Sequence, residues 1–258
     1  TIEPGIMNVV NEATSLPVPT VLAVDFSTTA IPYPYHITSR AAGQSLAKRY
    51  PDMALDDQIQ VVHDAGQYLG KLHDTISFDH YGELITGDSW RDVRVKSDDS
   101  WSALLGRRMS EWIDALDGGQ FSDLMEAFGA IREERDEHLE ASNISSRPAL
   151  LHFDYRPSNV VISRDTITGI LDWEYATAGH AEYDFFKFEK NFLLANVEDT
   201  RRREWLRPYL YRGYRKQHSL DPGWQARRDL YRVVYKLESF ASFDRWTEQM
   251  TESERDEM

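Results

Sequence analysis

The stretch from Leu150 to Glu174, LLHFDYRPSNVVISRDTITGILDWE, decides the reading of this chain. The apolar run Ala149 to Leu151 leads into a polar loop of the form H-x-D-x-x-x-x-N, made of His152, Asp154 and Asn159, which passes into the β-prone run Asn159-Val160-Val161-Ile162. Ser163 to Gly169 reads as a turn and Ile170-Leu171 as a short apolar return strand, so the segment is expected to fold as a β-hairpin. A loop leaving a buried strand and a strand returning beside it bring three polar side chains together: Asp154, Asn159 and Asp172.

Two carboxylates and an amide at the end of a hairpin suit phosphoryl transfer, which asks little covalent chemistry of a protein. It needs a carboxylate to orient or accept the proton of the attacking hydroxyl, and oxygen ligands for magnesium on the nucleotide phosphates. On these grounds Asp154 is the candidate catalytic base, and Asn159 and Asp172 are the candidate Mg2+ ligands. His152 is a scaffold residue whose ring fixes the loop. Taken singly, each Asp or Asn reads first as a turn residue that caps backbone N–H groups. The three in this order point to chemistry.

The segment resembles the catalytic core of the aminoglycoside phosphotransferase and choline kinase-like family, relatives of the protein kinases that act on small molecules. That family's usual string is H-G-D-L-H-x-x-N, then a strand, a turn and I-D-W-E; here it reads H-F-D-Y-R-P-S-N and L-D-W-E. Phe153 and Arg156 depart from the commonest forms and leave the three functional positions unchanged. Gly179 to Asp184, GHAEYD, is similar to the family's G-D-P-x-x-D, with His180 in place of the usual Asp, and the resemblance makes Asp184 the structural carboxylate that braces the loop. Leu69-Gly70-Lys71-Leu72-His73 resembles the helix end L-G-x-x-L-x-x-L-H, and Leu16 to Leu22, LPVPTVL, the segment that enters a strand after the family's regulatory helix.

What the resemblance implies goes further. The fold is α+β and protein-kinase-like, with an N-terminally truncated small lobe and a large, mainly helical C-terminal lobe. Residues 1–45 would be the partial nucleotide-binding lobe and hinge, and residues 46–258 the helical lobe carrying the catalytic loop and metal-binding hairpin. In the hinge, the carbonyl of Ser39 and the N–H of Ala41 would read the nucleotide base, and Glu3 stands where the family has its helix glutamate. A glycine-rich loop and a strand lysine should precede Glu3. The sequence begins at Thr1 without them, which reads as a fragment of a longer chain or as a kinase-like protein lacking half of its small lobe. Acceptor-binding walls would come from the C-terminal helices, with Glu238, Asp244 and Trp246 as candidates.

Composition bounds the remaining classes. A chain of 258 residues can bury a sizeable core. It has no cysteine, which excludes disulfides and thiolate metal sites. No run of eighteen apolar residues and no signal-peptide pattern occurs, so the cytoplasm is the expected compartment and no membrane partner is expected. The 43 acidic against 29 basic residues leave a net charge of -14, which argues against nucleic acid as a ligand. Only seven of the 29 basic residues are lysine. An acid-rich, lysine-poor surface suits a high-salt cytoplasm, and equally an ordinary acidic protein with arginine-biased codons.

Along the chain, a helix over Pro4 to Thr14 and two strand-like runs, Thr20 to Asp25 and Tyr33 to Ser39, precede helical patterns over Leu55 to Thr75, Trp101 to Leu116, Phe121 to Ser142, Thr200 to His218 and Gly223 to Met250. Only the hairpin is expected to interrupt these helices. His36, His63, His80, His138, His180 and His218 show no metal-ligand spacing. The expected activity is transfer of the γ-phosphate of ATP, or GTP, to a hydroxyl of a small molecule, with Mg2+ as cofactor. An acidic pocket would favour a cationic acceptor such as an aminoglycoside, choline or an amino sugar. The alternatives are a non-catalytic pseudokinase, a regulatory protein that binds a nucleotide or a partner, and, further off, a Mg2+-dependent hydrolase using the same carboxylates.

Overall fold

The first helix, α1 (Glu3–Ala13), starts where Pro4 occupies the first turn without forfeiting a hydrogen bond, and it buries Ile6, Met7 and Val10. It ends at Thr14, whose hydroxyl donates to the Val10 carbonyl at 2.8 Å. Two antiparallel strands follow, β1 (Val21–Asp25) and β2 (Tyr35–Thr38), with an irregularity in register between Val21 and Ala23. These elements belong to a computed structural model that describes residues 2–98, 100–116, 146–194 and 200–243 and a few positions between 126 and 133. The helix expected over 121–142 lies almost wholly outside the described residues.

Strand β3 (Gln44–Ser45) runs directly into the short helix α2 (Leu46–Arg49), a 3-10 turn at Tyr50–Asp52 and the long helix α3 (Leu55–Thr75). The expected boundary at residue 45 therefore falls between two elements that adjoin. Helix α3 carries Asp56 and Asp57 in its first turn, where the helix dipole favours negative charge. It packs along α6 (Thr200–Arg215) at very short range. A Cβ at Gly66 would stand 2.5 Å from the Leu210 carbonyl oxygen, and one at Gly213 1.9 Å from the His63 carbonyl oxygen. Only glycine allows two backbones to approach so closely.

The hairpin does not interrupt the helices alone. Strands β4 (Tyr81–Thr86) and β5 (Val93–Asp98) pair antiparallel between α3 and α4 (Trp101–Leu116). The alternation Val93-Arg94-Val95-Lys96 is the period-two signal for the second of these strands. Strand β4 continues through β9 (Thr177–Gly179) to β6 (Ala149–Leu151), giving the sheet order β5-β4-β9-β6. The register Ala149↔Gly179 and Leu151↔Thr177 clamps the chain on both sides of the polar loop. A second sheet, β3-β7-β8, is built from β7 (Val160–Ser163) and β8 (Thr166–Ile170). The connection between these two strands is the pair Arg164-Asp165, not the whole of Ser163 to Gly169, because the β-branched run Thr166-Ile167-Thr168 extends the return strand. Gly43 has φ +120°, and a Cβ there would meet the Ile162 carbonyl oxygen at 2.0 Å, so glycine lets β3 join this hairpin.

After β9 comes α5 (Ala181–Glu189), every residue of which is buried, and a π-helical turn at Lys190–Leu194. All elements so far except α4 lie in one compact unit, Thr1–Asp99 with Ser145–Asp221. A second unit, Ser100–Ile144 with Pro222–Met258, holds α4 and α7 (Trp224–Ala241). Within it, the buried Trp101 indole N–H donates to the Tyr231 hydroxyl at 2.9 Å. Residues 244–250 of the expected last helix lie outside the described residues. No helix among the described residues is long and apolar enough to cross a membrane.

Where β6 ends, His152 enters the core with none of its surface exposed. Its Nε2 pairs with the Leu171 carbonyl at 2.9 Å and its Nδ1 with the Asp154 N–H at 3.3 Å. Since a carbonyl can only accept, Nε2 carries the proton and Nδ1 accepts, which is the neutral ring. Burial lowers its pKa from 6.5 to about 4, against the opposing pull of Asp184.

Two consequences are measurable. Gly213→Ala should destabilise the chain by roughly 2 kcal/mol in urea unfolding, since overpacking at a backbone contact has little room to relax; a neutral result would contradict the close α3–α6 crossing. Between about pH 4 and pH 6.5 the unfolded chain binds a proton at His152 that the folded chain refuses. Stability from this residue is therefore complete above pH 6.5 and declines on acidification. On lowering the pH from 7.5 to 5, His152→Gln should lose roughly 2 kcal/mol less stability than the parent, and parallel pH profiles for the two proteins would rule the buried neutral ring out.

Candidate functional site

The polar loop hangs on α5. Asp184, fully buried, accepts the His152 N–H at 2.6 Å and the Phe153 N–H at 2.8 Å, one on each carboxylate oxygen. His73, from the end of α3, faces the same carboxylate at 3.5 Å and bonds the Tyr214 hydroxyl of α6 through its other nitrogen at 2.9 Å. Three helices thus fix the start of the loop. Phe153 sits in the left-handed region at φ +66°, an unusual conformation for a large side chain. That turn delivers Asp154.

Downstream, a 3-10 turn at Pro157–Asn159 folds Asn159 back onto Asp154. The Asn159 amide donates to the Asp154 carbonyl and to its carboxylate Oδ2, both at 3.0 Å. With its NH2 so engaged, the amide oxygen Oδ1, which accepts from the Ser158 hydroxyl at 3.3 Å, is the end of that side chain able to ligate a cation. Across the hairpin the Leu171 N–H donates to the Asn159 carbonyl at 2.8 Å. Asp172 follows at φ +68°, held between Leu171 and Trp173, whose N–H donates to Glu3 Oε1 at 3.2 Å. Asp154, Asn159 and Asp172 therefore gather at one end of the hairpin. Burial raises the pKa of both acids; at Asp172 the Glu174 carboxylate adds to the rise, and at Asp154 the cations Arg156 and Lys187 oppose it. An all-oxygen set of one amide and one carboxylate fits a hard cation such as Mg2+.

The other expected positions are distributed more widely. Glu3, at the start of α1, touches Trp173 and pairs with His36 at 3.5 Å, so the first helix reaches the hairpin end. The Ser39 N–H is taken by the Thr20 carbonyl at 2.8 Å, and its hydroxyl accepts the Thr20 N–H at 2.9 Å. Ala41 lies against the hairpin: a Cβ on Gly169 would stand 2.6 Å from the Ala41 methyl. Thr168 donates to the Ala42 carbonyl at 2.5 Å, and the Ile170 N–H donates to the Pro17 carbonyl at 2.7 Å. The segment 39–43 and the Leu16 to Leu22 segment are thereby tied to the same hairpin. Glu238 is half-buried on α7, in the second unit, while Asp244 and Trp246 lie outside the described residues.

Three features were not legible as site chemistry. Arg156 pairs with Asp154 through Nε at 3.1 Å, so this departure from the family's string bears directly on the acid beside it. Lys187 is buried on α5 with its ammonium 4.9 Å from the centre of the Phe153 ring. Its proximity to the loop is a tertiary fact, visible in sequence only as a lysine among aromatic residues. His180, Glu182 and Asp221 place three ligand atoms within 4.8 Å of one another. Hydrogen bonds account for that trio: the Asp221 N–H donates to Glu182 at 2.7 Å, and His180 and Asp221 meet at 3.3 Å. Spacing gave no hint of it, because Asp221 follows the other two by about forty residues.

Comparison with known proteins supplies the family. No curated protein sequence matches the chain. Among solved structures, a protein from Ralstonia eutropha JMP134 described as an aminoglycoside phosphotransferase is 13% identical, with 96% of this chain and 74% of that one covered and a TM-score of 0.65. Amicoumacin kinase, in complex with AMP-PNP, Ca2+ and its ligand, is 14% identical, with 98% and 73% covered and a TM-score of 0.64. A thermostable variant of the aminoglycoside phosphotransferase APH(4)-Ia is 15% identical, with 96% and 78% covered and a TM-score of 0.62. At such identities the likeness is one of fold: protein-kinase-like, with a mainly helical C-terminal part. A family model described as the phosphotransferase enzyme family matches residues 3–230, most of the length, and the chain belongs to that family.

Proposed function

We propose that this protein transfers the γ-phosphate of ATP, or of GTP, to a hydroxyl group of a small molecule. The observation that carries the reading is the gathering of Asp154, Asn159 and Asp172 at one end of the β7–β8 hairpin, on a loop braced by Asp184. Asp154 is the base that orients the acceptor hydroxyl and takes its proton. Asn159, held by its NH2 group against Asp154, has its amide oxygen as the remaining ligand atom, and with the Asp172 carboxylate it would hold Mg2+, which when bound neutralises charge on the nucleotide phosphates. Arg156, about half exposed, is paired with Asp154 and is the cation that an incoming phosphate would attract. The segment 39–43, tied to the hairpin through Ala41 and Ala42, is the place for the base of the nucleotide, with the Ser39 carbonyl and the Ala41 N–H as its contacts. Glu3 reaches the backbone beside Asp172 and would help hold that residue in its left-handed conformation.

For the acceptor we favour an amino-bearing molecule. Solved relatives support this: one holds ADP with hygromycin B and another holds streptomycin with ATP. Glu238, with Asp244 and Trp246 further along the chain, is the candidate for recognising such a cation.

The division of roles is testable by calorimetry with ATP and Mg2+ beside a coupled ADP-release assay. Asp172→Ala should abolish Mg2+-dependent ATP binding and turnover together, whereas Asp154→Asn should keep binding within a few-fold and lose turnover by at least about 100-fold. Equal loss of binding in both variants would falsify the assignment, and binding without any turnover in the parent protein would mark a nucleotide-binding pseudokinase. A panel of aminoglycosides, choline and neutral sugars should give turnover with amino-bearing acceptors, and Glu238→Gln should raise the KM for the responding acceptor by roughly tenfold. Turnover confined to neutral sugars would remove the cationic-acceptor reading and leave the phosphotransferase itself standing.

A further inference from the structure

The residue before Asp154 is where this chain departs most from the H-G-D string, and the backbone there explains why glycine is usual. Phe153 has φ +66°. Glycine takes that conformation freely, whereas a side chain makes it cost about 1–2 kcal/mol. Something must hold Phe153 in place, and α5 supplies it. The Phe153 ring is only 3% exposed and stacks on the Tyr183 ring, with centroids 4.9 Å apart and planes 16° from parallel. The Lys187 ammonium lies 4.9 Å from the centre of the same ring. Tyr183 and Lys187 are four residues apart, hence neighbours on one helical face. Between them in sequence stands Asp184, which accepts the N–H groups of His152 and Phe153. One helix therefore grips the dipeptide by its backbone and by its side chain.

Lys187 is 8% exposed, and a lysine is almost never buried unless its charge is used. An ammonium over an aromatic face is attracted by the ring quadrupole, and the attraction grows on desolvation. We propose that Lys187 is a positioning residue for phosphoryl transfer: by clamping the Phe153 ring it holds the left-handed turn that aims Asp154. This rests on the reading of Asp154 as the base. Lys187 does the work that an unhindered glycine performs in the usual string. A direct, through-space effect of its charge on Asp154 is the competing explanation, and the two separate in a double-mutant cycle.

The cycle compares the parent, Lys187→Met, Phe153→Gly and the double variant, with Lys187→Arg and Asp154→Asn beside them. The readouts are basal ADP release from ATP and Mg2+ with water as acceptor, KM for ATP, thermal unfolding, and crystal structures. Lys187→Met should lower kcat about tenfold with KM for ATP within about twofold, and Lys187→Arg should recover most of the loss. In the Phe153→Gly background the same Lys187→Met change should matter less than about twofold, since the ring it acts through is gone. The crystal structure of Lys187→Met should show Phe153 out of the left-handed region and the Asn159–Asp154 hydrogen bond opened, a readout that needs no turnover. An equal fall in kcat in both backgrounds, or an unmoved loop in the Lys187→Met structure, overturns the proposal. Parent-level turnover in Asp154→Asn would instead strike the assignment of the base, leaving the loop geometry of Lys187→Met to decide the clamp separately.

Discussion

The fully buried carboxylate of Asp184 is the constraint on which the loop depends. Removing a carboxylate from water is costly unless its oxygens are satisfied, and here each oxygen accepts a backbone N–H of the dipeptide His152-Phe153. The interaction runs both ways. The acid is tolerated in the core because the loop's N–H groups point at it, and those two bonds in turn fix the backbone of the dipeptide. His73 and, behind it, Tyr214 extend the contact into α3 and α6, the two helices that cross closely through Gly66 and Gly213. A disturbance of that helix pair should therefore be felt at Asp154, although neither helix supplies a residue to the chemistry.

From this anchor the rest follows by short covalent and hydrogen-bonded steps. Strands β6 and β9 are paired, so the chain enters and leaves the region at fixed positions. Between them the β7–β8 hairpin returns Asp172 beside Asn159, and of the positive-φ residues Phe153, Arg164 and Asp172 in this stretch, Phe153 precedes Asp154 and Asp172 is itself a site residue. Conformations of this kind cost energy and persist where the surroundings overdetermine them. Around Phe153 the surroundings are Asp184, Tyr183 and Lys187; around Asp172 they are the Leu171 N–H bond to Asn159 and the Trp173 N–H bond to Glu3.

How much of this could be read from the sequence depends on the range of the interactions. The hairpin, the order Asp154, Asn159, Asp172 and the long helix α3 are local, carried by β-branched runs, turn residues and helical periodicity, and they were legible. His152 was read from the sequence as a scaffold residue of the loop, but its full burial and its neutral ring follow from the tertiary contacts with Leu171 and Asp184 and were not legible. Strands β4 and β5 were missed: β5 carries an alternation at Val93 to Lys96 that was not used, while the run of β4 is too short to stand out between helical patterns and becomes a strand by pairing with β5 and β9. The Arg164-Asp165 turn was read too long, as threonine and glycine in Thr166 to Gly169 look like turn residues until the strand beside them is known. Arg156 was read only as a departure from the family's string, and Lys187 was assigned no part. Their contacts with Asp154 and Phe153 appear only once the loop is folded and, for Lys187, a helix more than thirty residues away in sequence is placed beside it.

The proposed chemistry depends on Asn159 and Asp172 sharing one cation beside Asp154. The most direct measurement is a crystal structure of the protein with AMP-PNP and Mn2+ in place of Mg2+, with the ion located by its anomalous scattering. An anomalous peak is expected at about 2.0–2.3 Å from the amide oxygen of Asn159 and from a carboxylate oxygen of Asp172, with Asp154 facing the γ-phosphate. A peak bound by other residues, or nucleotide seated away from the β7–β8 hairpin, would contradict it.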